Sequence, residues 1–433
     1  MRDTYDMTVK DIVLLLLGAV LGAIVGSWYG LATRSVARRM RAGTLRRRSG
    51  EGVAGSLSTK IVAYYRESGL ESSLYNPRMV GSGEPIALLF TPDLDFTRHV
   101  SVDSDSLFSC DHLFTRFPVN NRILGWYRRR GVRLFDGEFL WVKNVNIEGG
   151  NLTNIQVGRF NFFAYATLCF RLQREMSSRW RTPKMHDRFL RTFDSALGSE
   201  LKPQAVGCMV ATLLQGDDGL YIAIAKRSTE VLNGPSTRSL LPVFGMECNA
   251  IGKRSSDYGL TFYNFVREFS EEFFDLEELV HMMSTRRVDS DWIFQLPSAA
   301  AVLREALAGR LQFLRTGFGV NPNDGIFNCA LVAHFSSPEF FTWLRTDGRL
   351  NWESASDATS SAPLEFIKLD DTRLDEWVDR QKIDPSSVFA LDLARQYAAS
   401  LTVPYISREG AERAAVTEAH QDLRPVDRND SGD

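Results

Sequence analysis

The sequence contains few residues of the kinds that form disulfide frameworks or zinc sites. Five cysteines and six histidines are scattered over 433 residues, and no two cysteines form a Cys-x-x-Cys pair. Dispersed cysteines in odd number predict reduced thiols in the cytosol rather than a disulfide framework. Only Cys110 and His112 place two soft ligands close together, and no second pair completes a four-ligand zinc site.

The chain also lacks a large net charge of either sign. Its 51 lysines and arginines nearly balance 53 aspartates and glutamates, so the formal charge is −2 at pH 7. No overall electrostatic field attracts a polyanion, and we therefore expect no nucleic-acid partner. The composition, with 44% hydrophobic and 24% charged residues, is that of a globular protein, and the length allows roughly two or three domains.

Long uncharged segments are absent except for one near the N-terminus. Residues 12–32, IVLLLLGAVLGAIVGSWYGLA, contain no charged side chain, and a helix of this length crosses a hydrocarbon core of about 30 Å. Arg2 and Lys10 precede the segment, whereas seven arginines follow it between residues 34 and 48. The positive-inside rule predicts a single-pass protein of the cell membrane, with its N-terminus outside and its other domains in the cytoplasm. The lipid bilayer is thus a predicted partner.

Glycines recur at every fourth position of this segment. Gly18, Gly22, Gly26 and Gly30 would form one small-residue stripe on a helix, which favours close helix–helix packing and a homo-oligomer. The alternative is that glycine is simply common in membrane helices. A cleaved signal peptide fits less well, because the apolar segment is too long and acidic residues precede it.

Composition and pattern divide the rest of the chain. We predict a short extracytoplasmic N-terminus at 1–11, the transmembrane helix at 12–32, a basic juxtamembrane linker at 33–57, an α+β module of unassigned role at 58–200, an α/β domain at 203–402 and a disordered tail at 408–433. Strands and helices alternate through the fifth of these segments.

The stretch VREFSEEFFD, residues 266–275, concentrates glutamates on one side of a predicted helix that extends to about residue 282. With about 100° per residue, Arg267, Glu268, Glu271 and Glu272 fall within about 140° of one another, and the phenylalanines occupy the neighbouring side. Carboxylates at this spacing repel unless something offsets their charge. They are hard oxygen ligands that suit Mg²⁺ or Mn²⁺. The alternative is a solvated acidic face with no chemical role.

The order R-E-F-S-E-E-F resembles the second half of the Nudix box, R-E-U-x-E-E-x-G-U, in which U is a bulky apolar residue. Two strands, the second ending in AKRS, and a PVFGM segment precede the helix; a strand pair, LEFIKLDD and a closing helix follow it. The resemblance covers residues 203–402 and implies a Nudix-like α/β/α sandwich. With its membrane segment and α+β module, the chain resembles the Nudix proteins associated with nucleotide second-messenger synthases in bacterial conflict systems, which implies antiviral defence.

The resemblance also implies a role for each matched residue. Glu271 and Glu272 would bind the metal ion, and Glu268 would bind it or activate water, held by Arg267. Gly245 would offer its backbone carbonyl to the metal. The further carboxylates implied at the site are Glu247, in place of the missing first half of the box, and Glu365, with Glu353 as its competitor.

The chain departs from the box at two positions. Phe274 stands where the box has its glycine, and Gly259 rather than a glutamate lies eight residues before Arg267. Three functions stay open. The first is a membrane-anchored, metal-dependent hydrolase of a nucleoside diphosphate linked to another moiety. The second is a catalytically degenerate nucleotide sensor that signals at the membrane, and the third is an interaction protein without chemistry.

Overall fold

The computed structural model describes residues 52–91, 98–99, 107–134, 137–148, 151–177, 183–197, 203–228, 230–247, 259–276, 290–349 and 364–402. The predicted membrane segment with its glycine stripe, the predicted tail and Glu353 lie outside these ranges. None of the helices within them is both long and apolar enough to cross a membrane.

The first half of the described chain contains five helices and four strands. They are α1 (Gly52–Glu67), β1 (Arg98–His99), β2 (Phe108–Phe114), α2 (Asn121–Arg129), β3 (Glu138–Glu148), β4 (Asn151–Asn161), α3 (Phe162–Ser177), α4 (Lys184–Phe189) and α5 (Phe193–Leu197). β2, β4 and β3 form a small sheet in that order, in which β3 and β4 are antiparallel.

The second half alternates between strands and helices over its described residues. Its elements are β5 (Val206–Gly216), β6 (Gly219–Lys226), β7 (Arg238–Leu240), β8 (Val243–Gly245), α6 (Leu260–Phe274), α7 (Pro297–Leu307), β9 (Leu311–Asn321), β10 (Ile326–Phe335), α8 (Pro338–Asp347), β11 (Glu365–Lys368), α9 (Thr372–Asp379) and α10 (Pro385–Thr402). The predicted strands at 205–214 and 220–228, and the strand pair after the acidic helix, are confirmed as β5, β6, β9 and β10.

The large sheet is mixed, with the order β1-β9-β10-β5-β6-β11, while β7 pairs with β6 and β8 with β5. β10 runs parallel to β5, and β9 runs antiparallel to β10. The chain is therefore a mixed α/β protein, as predicted.

Helices cover both faces of the large sheet. Along β5, Cys208 and Val210 face a core that includes α6 and α7, whereas Met209 and Ala211 face a core that includes α9 and α10. Successive strand side chains point to opposite faces, so an almost wholly apolar strand indicates a sheet buried on both sides.

The first half is joined to this sheet through backbone hydrogen bonds. β1 pairs with β9, and Leu89 exchanges hydrogen bonds of 2.8 and 3.0 Å with Val320. The Leu140 N–H donates to the Met246 carbonyl at 2.8 Å. This last contact fastens β3 directly to the segment that carries Gly245 and Glu247.

Three predicted boundaries need correction. The acidic helix ends at Phe274 rather than near 282, because Asp275 adopts a left-handed conformation with φ of 51°. Residues 52–57, predicted to be linker, belong to α1. Residues 85–90, PIALLF, are predicted to be a strand from their apolar residues, but they form no regular strand, and Leu89 pairs with Leu74 and Val320 as isolated bridges.

Candidate active site

The acidic helix α6 is held against the core by its aromatic side. Phe262, Phe265, Phe269 and Phe273 are fully buried, and the Phe265 ring lies 4.9 Å from that of Phe313 on β9. Burial of each aromatic side chain contributes roughly 1.5–3 kcal/mol. The orientation of the helix, and hence of its carboxylates, is therefore set by packing.

The other side of α6 is buried as well, which rules out the solvated acidic face. The exposed fractions are 2% for Arg267 and Glu272 and 8% for Glu271. Glu247, from the segment after β8, is 7% exposed. Charged side chains at such depth normally require partners, and Arg267 provides them.

Arg267 lies at the centre of three carboxylates. One of its terminal nitrogens, Nη2, bonds to Glu268 and lies 3.8 Å from Glu247 Oε1, while Nη1 lies 3.3 Å from Glu271 Oε1. Its Nε is buried and has no hydrogen-bond partner within the described residues. One guanidinium thus faces more negative charge than it can neutralise.

The excess of negative charge around Arg267 shifts the pKa values of these side chains. Burial, together with the neighbouring carboxylates of Glu271, Glu272 and Glu247, raises the pKa of Glu268 well above its usual range, although Arg267 opposes the shift. Burial alone would lower the pKa of Arg267, but the surrounding carboxylates outweigh it and raise that pKa. A carboxyl with a raised pKa is better suited to accept a proton near neutral pH.

Glu247 is brought to the cluster by a side chain that the sequence pattern did not indicate. Asn264, one turn before Arg267 on α6, accepts from the Glu247 backbone N–H at 3.1 Å and donates to the Glu247 carbonyl at 3.0 Å. These paired bonds fix the end of the β8 segment on the helix. Asn264 is therefore a positioning residue for Glu247.

Not all the predicted ligands point the same way. Glu272 accepts a hydrogen bond from the Val243 backbone N–H at 3.2 Å and is not among the residues that line the cleft described below. Glu365 begins β11, opposite Ile224 on β6, and also lies outside that lining. Within the described residues, no three acidic, histidine or cysteine side chains gather as a ready metal-binding group.

A cleft of about 830 Å³ opens beside the carboxylates. Gly245, Glu247, Arg267, Glu268 and Glu271 line one end of it. Such a volume is typical of small-molecule sites. The predicted site residues therefore converge on one cavity, except for Glu272 and Glu365, while Glu353 lies outside the described residues.

The first half of the chain supplies a second wall of the cleft. Phe139 of β3, together with Phe162 and Tyr165 of α3, provides aromatic surface. The Phe139 ring covers Gly245 so closely that a Cβ there would lie 1.8 Å from a ring carbon. Sequence patterns did not indicate these residues, because they are separated from α6 by about a hundred positions.

Further lining residues of the cleft come from the turn that precedes β10 and from the segment before α10. Asp324, in the turn between β9 and β10, and Asp384, before α10, line the cleft together with Arg227. Burial and the Asp384 carboxylate raise the pKa of Asp324 to about 7, although the Ile326 N–H opposes the shift. Burial also raises the pKa of Asp384, against the effect of Arg227.

No protein-family model matches the chain. No curated protein matches it either. The resemblance to the Nudix box stays a prediction from the motif.

Proposed function

We propose that the cleft binds a nucleoside diphosphate linked to another moiety and hydrolyses its diphosphate with the help of Mg²⁺ or Mn²⁺. The observation that carries the proposal is the convergence of three chemistries on one cavity. Buried carboxylates form one end, aromatic rings form a wall, and the arginines Arg128, Arg133 and Arg227 also line the space. Arginines recognise phosphate oxygens, and aromatic faces stack on nucleobases.

The donor chemistry fits a hard divalent cation. Glu247, Glu268 and Glu271 are oxygen ligands of the kind that Mg²⁺ and Mn²⁺ prefer, and Arg267 alone does not balance their charge. These three carboxylates would hold the ion. When bound, it would polarise the diphosphate and lower the pKa of a bound water.

The protein's own residues would divide the remaining work. Arg267 orients Glu268 through their hydrogen bond, and Glu268, with its raised pKa, would accept the proton of the attacking water. Phe139 and Phe162 would stack on the base, and Arg128 would bind phosphate oxygens. The Nudix-like sandwich and the membrane anchor at 12–32, with the N-terminus outside, form part of the same proposal.

A second candidate function is nucleotide sensing without turnover. Two contacts favour it: the Phe139 ring covers Gly245, and Glu272 is engaged by the Val243 N–H rather than by the cleft. A protein of this kind would bind the nucleotide in the cavity described above and transmit the resulting conformational change to the membrane segment.

One experiment separates these functions. The full-length protein is incubated with Mg²⁺ and a panel of nucleoside diphosphate derivatives, and the products are resolved by chromatography. We expect metal-dependent cleavage of at least one compound, lost in Glu271→Gln. Glu272→Gln is the matched control: its amide oxygen still accepts from Val243, so most activity should remain.

Each outcome of this experiment supports or rejects the hydrolase, the sensor or both. Saturable nucleotide binding without any cleavage would support the sensor and reject the hydrolase. Cleavage that Glu272→Gln abolishes while Glu271→Gln retains it would contradict the assignment of carboxylates to the cleft. A lack of both binding and cleavage over the panel would reject both functions.

A further inference from the structure

A basic groove lies between α2 and α3, on residues that do not line the cleft. The groove, of about 500 Å³, is bordered by Arg122 and Arg129 on α2 and by Arg171 and Arg174 on α3. All four side chains are exposed. None of them forms an ion pair with an acidic side chain anywhere in the described part of the chain. The positive charge of the groove is therefore not cancelled within the described residues.

Aromatic rings, rather than carboxylates, support the guanidinium groups around this groove. Arg130 lies 3.9 Å from the centroid of the Trp126 ring, and Arg174 lies 5.9 Å from that of Phe170. Such contacts hold a cation in place without neutralising it. The acidic residue lining the groove is Glu175, which is engaged by His186 Nδ1 at 2.8 Å.

Exposed apolar side chains adjoin the arginines. Pro118 and Val119 share a neighbouring hollow with Arg122 and Arg171. Val119 is 39% exposed, and Pro118 is exposed as well. A phosphate backbone gains little from aliphatic neighbours, whereas a lipid interface accepts apolar side chains beside basic ones. The combination favours a membrane over a nucleic acid.

The chain also enters the described structure on this side. Leu57 of α1 lines a cavity of about 460 Å³ together with Trp126 and Arg130, so the first helix faces α2 across this cavity, and it packs against α3. Only residues 33–51, rich in arginine, separate α1 from the predicted membrane segment. A helix anchored through this connection would hold the α2–α3 groove near the bilayer surface.

We propose that the α2–α3 groove, with the apolar residues at its rim, docks on anionic phospholipid headgroups. Arg122, Arg129, Arg171 and Arg174 would contact headgroup phosphates and carboxylates, since basic residues near an anionic leaflet are attracted to it. Pro118 and Val119 would enter the interfacial layer. This docking is independent of any chemistry in the cleft, and it would fix the orientation of the cleft relative to the membrane.

The test measures protection of arginines rather than vesicle binding, because a membrane anchor would carry the protein to any vesicle. Full-length protein is combined with vesicles of phosphatidylcholine alone or of phosphatidylcholine and phosphatidylserine in equal parts. The rate of phenylglyoxal modification is followed at each arginine by mass spectrometry. We expect Arg129 and Arg174 to react about fivefold more slowly, or slower still, on the anionic vesicles, and high salt should remove the difference.

Two comparisons make the result specific. Arg373 on α9 and Arg380 directly after it, both exposed, should react at the same rate on both vesicles. The variant Arg122→Gln/Arg171→Gln should lose most of the protection at Arg129 and Arg174, whereas Arg373→Gln/Arg380→Gln should keep it. Equal rates on the two vesicles would overturn the proposal. Protection by an added oligonucleotide on neutral vesicles, stronger than that by anionic lipid, would also overturn it in favour of a nucleic-acid surface.

Discussion

Replacement of Arg267 by methionine should destabilise the protein strongly at neutral pH. The guanidinium is 2% exposed and contacts Glu268, Glu271 and Glu247. Removal of one partner from a buried ion pair leaves an uncompensated charge and costs about 3–5 kcal/mol. Methionine has a similar length, so a cavity adds little to this figure.

The pH dependence of the loss has a definite sign. The pKa of Glu268 is already raised in the folded protein, so the folded state holds its proton more tightly than the unfolded state does. Stability therefore increases as the pH falls through the folded pKa towards the unfolded value of about 4.3. Without Arg267 the pKa of Glu268 rises further, and the deficit of the variant should shrink on acidification.

The assay is urea unfolding of the full-length protein, followed by tryptophan fluorescence at pH 8 and pH 5.5. The matched control is Arg373→Met, which removes an exposed pair with Asp371 and should cost no more than about 1 kcal/mol. Mg²⁺ should recover part of the loss in Arg267→Met, because a cation bound by the carboxylates offsets their repulsion. A loss equal to that of the control, or one that grows on acidification, would refute the electrostatic reasoning.

Three further predictions rest on other contacts. Asp324→Asn should raise the free energy of unfolding at pH 8 by on the order of 4 kcal/mol. The pKa of Asp324 is about 7 in the folded protein and about 3.9 in the unfolded chain, so the ionised carboxylate destabilises the fold. This penalty is lost as the pH falls from about 7 to 4. Gly245→Ala should cost about 1–3 kcal/mol by displacing the Phe139 ring, and it should weaken nucleotide binding in calorimetry. Asn264→Ala should release the Glu247 backbone. The free energy of Mg²⁺ binding, measured by calorimetry, should fall by more than the free energy of unfolding, measured in urea.

The controls for these variants come from the same chain. Gly137→Ala also lies at the cleft, but its Cβ would meet a Phe139 ring carbon at an ordinary 3.6 Å, so near-native binding is expected. Asp347→Asn, at an exposed position on α8, should change the free energy of unfolding at pH 8 by no more than about 0.5 kcal/mol. Equal effects of Gly245→Ala and Gly137→Ala, or of the two aspartate variants, would contradict the corresponding explanation.

The sequence was most informative where the determining contacts are local. The strands β5, β6, β9 and β10 and the mixed α/β class followed from apolar pattern and turn signals. The helical period placed Arg267, Glu268 and Glu271 on one side of α6, because residues three and four apart on a helix are neighbours. The same reasoning missed the end of α6 at Asp275, whose left-handed conformation no periodicity encodes.

Long-range contacts account for what the pattern could not predict. Glu272 shares the acidic side of the helix, yet its carboxylate accepts from Val243, a contact across 29 positions. The covering of Gly245 by Phe139 depends on the fastening of β3 to the β8 segment through Leu140. Such pairings follow from the packing of whole elements, so they cannot be predicted from a residue's neighbours in sequence.

By itself, the sequence determined that residues 266–274 form a helix with an aromatic side and a carboxylate side, since both sides follow from the type and spacing of adjacent residues. Only the tertiary structure decided that the carboxylates are buried around Arg267, that Asn264 brings Glu247 to them, and that aromatic residues from the first half of the chain complete the cleft. The physical reason is that burial is a property of the assembled core. A charge becomes costly, and therefore informative, only once neighbouring elements exclude water from it.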